Sequence, residues 1–266
     1  MDLLAQYWLF IAGLMVTGVC SGIAAGLLGV GGGAIIVPAL ATALSMLGYD
    51  SDVVQHVAVG TSLAIIIPTG LVSARAHYRR GALDVATLRL WVPFIVAGTF
   101  VGGLLAGYFS GNALRIVFAV MAFVIAANIV FGFQTRLMGH LKGSALTNRI
   151  SASVVGFISA LMGIGGGSLS VPMHAAVGTS AAIGVAIAIS GALGFVISGW
   201  GVAGLPPLSL GYVNVVALLL VALLAALFAP VGAALAHKMD QKTLKYVFAG
   251  FLVLVGLNMV WKVLAG

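Results

Sequence analysis

A run of glycines inside an uncharged apolar stretch constrains this chain more than anything else in it, and the run occurs twice. Residues 26–38 read Gly-Leu-Leu-Gly-Val-Gly-Gly-Gly-Ala-Ile-Ile-Val-Pro, and residues 160–172 read Ala-Leu-Met-Gly-Ile-Gly-Gly-Gly-Ser-Leu-Ser-Val-Pro. Gly29, Gly31, Gly32, Gly33, Val37 and Pro38 recur at one offset as Gly163, Gly165, Gly166, Gly167, Val171 and Pro172. Each glycine in a helix interior costs about 1 kcal/mol relative to alanine, so three together favour a break. Yet the surrounding stretch from Tyr7 to Tyr49 contains no Asp, Glu, Lys or Arg. A helix interrupted within an apolar stretch, at matching places in two halves, is the pattern of a substrate site in a membrane transporter.

Composition removes the other fold classes. Only 6% of residues are charged and 62% are hydrophobic, whereas soluble domains are about a quarter charged. The apolar runs do not alternate, which excludes a β-barrel. The expected fold is an all-α polytopic membrane protein with roughly eight or nine spans of about 20 residues, leaving no room for a separate soluble domain. The net charge of +7 sits in short loops, where it orients the chain in the bilayer rather than binding nucleic acid. The single cysteine, Cys20, excludes an intrachain disulfide. The first apolar run has no basic stretch before it and no cleavage site after it, so it reads as retained rather than as a signal peptide.

The chain divides into a first transmembrane repeat at 1–135, a basic cytoplasmic linker at 136–149 and a second repeat at 150–266, forming one integrated domain. Later positions match too: Gly102 with Gly232, Leu114 with Leu244, Arg115 with Lys245, and Asn128 with Asn258. In the middle of each half His56, Gly60, Thr61 and Ser62 recur as His174, Gly178, Thr179 and Ser180. The second half is much shorter between its proline and its Gly-Thr-Ser, so its re-entrant piece is truncated or a segment is lost there. Charge placement sets the topology. The loop at Arg75–Arg80 is basic and its counterpart at Gly201–Ser209 is uncharged; the turn at Ser110–Asn112 is neutral and its counterpart at Lys238–Lys245 is basic. Basic loops face the cytoplasm, so equivalent loops lie on opposite sides, as inverted-topology repeats require. Both termini are then expected outside, across a bacterial cytoplasmic membrane, and Tyr7 to Ala74 must make one net crossing.

The residues suit an anion. The chain has no glutamate and no Asp within the interior of an apolar run, where a cation site or a proton relay would normally need a carboxylate. Glycine backbone at a helix start instead offers N–H groups and partial positive charge. Gly31, Gly32, Gly33, Gly165, Gly166 and Gly167 are expected to line the central site, with hydroxyl donors from Thr61, Ser62, Thr179 and Ser180. His56 and His174 are candidate proton or substrate ligands, with a structural reading as histidines bonded to backbone near a membrane face; Asn128 and Asn258 are candidates too, with a structural reading as interhelical glue. Close helix packing is the bland reading of the glycines, and bonding back to the preceding turn that of the threonines. Arg115 and Lys245 lie near span ends, from which they can snorkel. The tryptophans near run ends are expected interface anchors. No nucleotide-binding loop, no metal-ligand cluster and no acidic pair is present, so neither an enzyme nor a cofactor or metal is expected.

The doubled Leu-Leu-Gly-Val-Gly-Gly-Gly-x-x-x-Val-Pro pattern followed by Val-Gly-Thr-Ser resembles the sulfite exporter TauE/SafE family, through both repeats. The resemblance implies a secondary transporter exporting small sulfur oxyanions, such as sulfite, sulfoacetate or related organosulfonates, by alternating access. A passive anion channel or an uptake permease for sulfate or sulfonate is the alternative. Its partners would be the small anion and the lipid bilayer.

Overall fold

The computed structural model describes residues 3–28, 32–79, 84–131, 145–165, 176–236 and 241–265. In chain order the helices are α1 (Leu3–Leu28), α2 (Gly33–Met46), α3 (Ser51–Arg79), α4 (Val85–Ala106), α5 (Gly111–Phe131), α6 (Ala145–Met162), α7 (Ala176–Ser198), α8 (Val215–Ala236) and α9 (Gln241–Ala265). A two-residue hairpin pairs β1 (Ser209–Leu210) with β2 (Val213–Asn214), with Ser209 opposite Asn214, before α8. Seven of these helices are long and apolar enough to cross a bilayer, while α2 and α6 have shorter apolar segments. At about 1.5 Å per residue, the 14 residues of α2 reach only part-way across. That is why the described residues give fewer full spans than apolar length alone suggests. Residues 145–149, read from the sequence as linker, form the first turn of α6. The rest of the linker and residues 172–175 lie outside the described residues.

Burial identifies the centre. In α3 67% of the span is buried and in α7 61%, against 22% in both α4 and α8. A helix that is apolar all round belongs inside, and α3 and α7 form the inner pair. They pack antiparallel: Gly60 meets Phe195, Leu63 meets Gly191, and Gly70 meets Val185. Around them, α4 lies beside α7 and runs the same way, with Thr99 at Gly191 and Gly107 at Ser198. The outer contacts come in two matching sets. α1 lies along α8, also in the same direction, with Gly18 at Leu224 and Gly22 at Ala225. α4 lies along α6 in the same way, with Gly98 at Ser153 and Gly102 at Phe157. Small residues permit this approach where no water drives helices together. A Cβ on Gly102 would sit 2.8 Å from the Phe157 carbonyl oxygen, and one on the equivalent Gly232 would be driven into the carbonyl of Ile23. Finally α5 and α9 pair antiparallel, with Phe123 against Gly256.

Trp8, Trp200 and Trp261 are exposed near helix ends, as interface anchors should be. Arg115 departs from the sequence reading. It is 5% exposed, because the carbonyl of Ser51 and the side chain of Asn112 hold its guanidinium inward.

Candidate functional site

The two glycine segments meet at the middle of the α3 span. α1 ends at Leu28, and α2 begins at Gly33 after Gly32, whose φ of 75° is left-handed. Only glycine adopts that conformation without strain. The Gly32 carbonyl accepts the N–H groups of Ile35 and Ile36 at 3.0 and 3.1 Å, and Gly32 packs against Ser21 of α1. A glycine cap supplies no side-chain acceptor, so of the first-turn N–H groups those of Ile35 and Ile36 are held by the Gly32 carbonyl alone.

Across from it stands the end of α6. Gly163, at φ 68°, closes that helix: its N–H donates to Ser159 O and Ala160 O, and Ile164 N–H reaches back to Ser159 O. This is a left-handed glycine cap. Gly33 lies against it, since a Cβ there would be 2.5 Å from Gly163 O. One stripe of α3 underlies both segments. Val59 touches Gly163, Ile66 touches Gly33 and Gly165, and the Ser62 hydroxyl donates to Gly163 O at 2.8 Å. Gly31, Gly166, Gly167 and His174 lie outside the described residues. Thus Gly32, Gly33, Gly165 and Ser62 come together, and Gly163 joins them.

The two threonines do something the sequence did not suggest. Thr61 is fully buried, and its Oγ1 accepts the backbone N–H of Asn214 at 2.9 Å. Thr179 is equally buried, and its Oγ1 accepts the backbone N–H of Asp84 at 2.9 Å. Asn214 and Asp84 are equivalent positions, just before α8 and α4 respectively. Each caps that helix. Asn214 Oδ1 accepts from Ala217 N–H at 2.9 Å and Asp84 Oδ1 from Ala86 N–H at 3.0 Å. Each threonine therefore fixes a helix start belonging to the other half. The available signal was a lone Asp and a lone Asn ahead of apolar runs, equally spaced from Gly102 and Gly232. Ser180, the counterpart of Ser62, is buried in α7.

His56 is buried and clasps two elements. Its Nδ1 faces Asp52 O at 2.6 Å and its Nε2 faces Ala106 O at 2.9 Å, tying the start of α3 to the end of α4. Tyr212 stacks on it at 4.7 Å. Burial pushes the Tyr212 phenol above its usual range, and the charge of Asp52 adds to the effect. Asn128 is half-buried in α5 and Asn258 is exposed in α9. An apolar crevice between α5 and α9, lined by Phe123, Val130, Tyr246 and Val253, is separate from it. Among the described residues no group of His, Cys, Asp or Glu could hold a metal.

Comparison with known proteins gives one consistent result. A family profile described as "Sulfite exporter TauE/SafE" matches residues 14–259. A "Probable membrane transporter protein" of Haemophilus influenzae is 32% identical over 95% of this chain and 99% of its own length. "Probable membrane transporter protein YunE" of Bacillus subtilis is 28% identical over 94% and 97%. "Probable membrane transporter protein MJ0441" of Methanocaldococcus jannaschii is 25% identical over 96% and 97%. No solved structure matches.

Proposed function

The chain belongs to the sulfite exporter TauE/SafE family, and from that premise we propose that it is a secondary transporter exporting small sulfur oxyanions by alternating access. The carrying observation is the crossing at mid-span, where the start of α2 and the glycine-capped end of α6 meet on α3. Backbone N–H groups at a helix start, approached closely through glycine, bind an oxyanion without a fixed charge. A site of neutral donors also lets the anion leave.

The two halves are inverted repeats in this reading. Helix directions support it. α8 runs with α1, and α4 runs with both α6 and α7, while α3 opposes α7 and α5 opposes α9. The start of α3 also lies at the end of α4. Each element of the first half then points opposite to its equivalent in the second. α2 packs on both α1 and α3 and supplies the extra partial crossing that gives residues 7–74 one net passage. With the basic end of α3 in the cytoplasm, both termini lie outside. Alternating access would then exchange two equivalent packings about the α3–α7 pair.

The driving force is the membrane potential. With the inside negative, export of one negative charge is favoured by about 2.3 kcal/mol per 100 mV. Proteoliposomes loaded with sulfite test this: efflux should accelerate when the interior is made negative. Efflux indifferent to the imposed potential overturns electrogenic anion export, and conductance far above carrier turnover overturns alternating access.

A further inference from the structure

Along the α3 stripe that underlies the glycine crossing, one residue is anomalous. Ser51, Gln55, Val59, Ser62 and Ile66 follow one another at spacings of three and four, so they share a helix face. Val59, Ser62 and Ile66 touch the glycines. Gln55 is completely buried, and neither Nε2 nor Oε1 of its amide has a hydrogen-bond partner. Buried amides are almost always bonded. One turn further on, the same face meets a second incomplete group. Arg115 donates from Nη2 to Ser51 O at 3.1 Å and from Nη1 to Asn112 Oδ1 at 2.9 Å, while its buried Nε has no partner. Both acceptors are neutral. The two carboxylates whose charge reaches it are otherwise engaged: Asp52 Oδ1 accepts the N–H of Gly111 at 2.6 Å, and Asp50 Oδ1 accepts the N–H of Asp52 at 2.8 Å. Lys262 donates to Thr42 Oγ1 at 3.1 Å, again a neutral partner.

We infer that the Gln55 amide and the Arg115 guanidinium form a second station for a small oxyanion, roughly 10 Å along α3 from the glycine crossing. The inference rests on the transport reading above. The ligand class follows from the groups: two orphaned N–H donors, one of them on a guanidinium, suit an anion with several acceptor oxygens. The station lies toward the end of the bundle where α3 begins, so an anion moving between the crossing and that end would pass it. There the charge of Arg115 would replace the neutral donors of the crossing.

The test uses the full chain in detergent, with thermal unfolding followed while sodium sulfite, sulfate or sulfoacetate is titrated. Gln55→Leu keeps the volume and removes the amide; Gln55→Glu keeps the shape and adds negative charge; Ser198→Ala removes an orphaned hydroxyl at the end of α7, away from the stripe. For the anion that stabilises the wild type, Gln55→Leu should need at least tenfold more to reach the same shift. Gln55→Glu should respond still less, and Ser198→Ala should match the wild type. If Gln55→Glu does not fold, Gln55→Leu decides alone. A Gln55→Leu protein that folds and titrates like the wild type overturns the station and leaves the transport reading standing. A wild type that neither responds to any of these anions nor transports them overturns the transport reading, and the station with it.

Discussion

The two halves agree where they face each other and differ where each faces its own loops. Gly102 meets Phe157, and Gly232 meets Ile23; Gly156 meets Ile95, and Gly22 meets Ala225. Thr61 holds Asn214, and Thr179 holds Asp84. In each pair the second contact is the first with the halves exchanged. Away from this seam the match lapses. The first half ends its inner helix α3 in the basic Arg75–Arg79 stretch, whereas the second follows its inner helix α7 with an uncharged hairpin pinned by Asn214 to Pro207 O and Ser209 Oγ. Asn128 is half-buried, and Asn258 is exposed. The match is closest where an element of one half packs on an element of the other.

The comparison can be broken most forcefully at the tightest crossings. Gly232→Val should cost about 3 kcal/mol and Gly102→Val about 1 to 2, because the Gly232 backbone lies closer to its neighbour. Thermal unfolding that ranks them the other way would show that close approach does not set the cost. Next, Thr61→Val should lose about 1 to 3 kcal/mol by stranding the buried N–H of Asn214, and Thr179→Val less, because the Asp84 N–H is only part-buried. The pins lie far apart along the bundle, so the double variant should be additive within about 0.5 kcal/mol. Strong non-additivity would mean the pins act through one shared movement. Removing the caps sharpens the asymmetry. Asp84→Ala should cost about 1 kcal/mol, and Asn214→Ala about 2, since Asn214 also holds the hairpin. Equal values would remove the hairpin from the argument. Smallest of all, Asn258→Ala should stay within about 0.5 kcal/mol, while Asn128→Ala exceeds it; the reverse order would place the interhelical contact on the wrong helix.

The all-helical, membrane-spanning character was legible in the chain, because long uncharged apolar runs have no other use. The length of α2 was not, because apolar runs count crossings without saying which stop part-way. The role of Thr61 was hidden because its partner lies 153 residues away, and repeat matching aligns equivalents without revealing which ones touch. Arg115 reads as a snorkelling residue from its place in the run; only Ser51 and Asn112, brought up by the start of α3 and the first turn of α5, show why it stays inside. Gln55 has no matching residue in the second half, where Met173 stands opposite, so nothing in the repeat drew attention to it.

The exchanged pins also govern the order in which the protein is made. When the ribosome has delivered α4, the N–H of Asp84 has no hydroxyl to receive it, and the groove along Gly98 and Gly102 has no neighbour; both wait for α6 and α7. α1 waits longest, until α8 enters the bilayer. Until then the first half has only its internal packing, α2 on α1 and α3 and the His56 clasp of α3 to α4, and the contacts across the seam close after the later helices have left the tunnel.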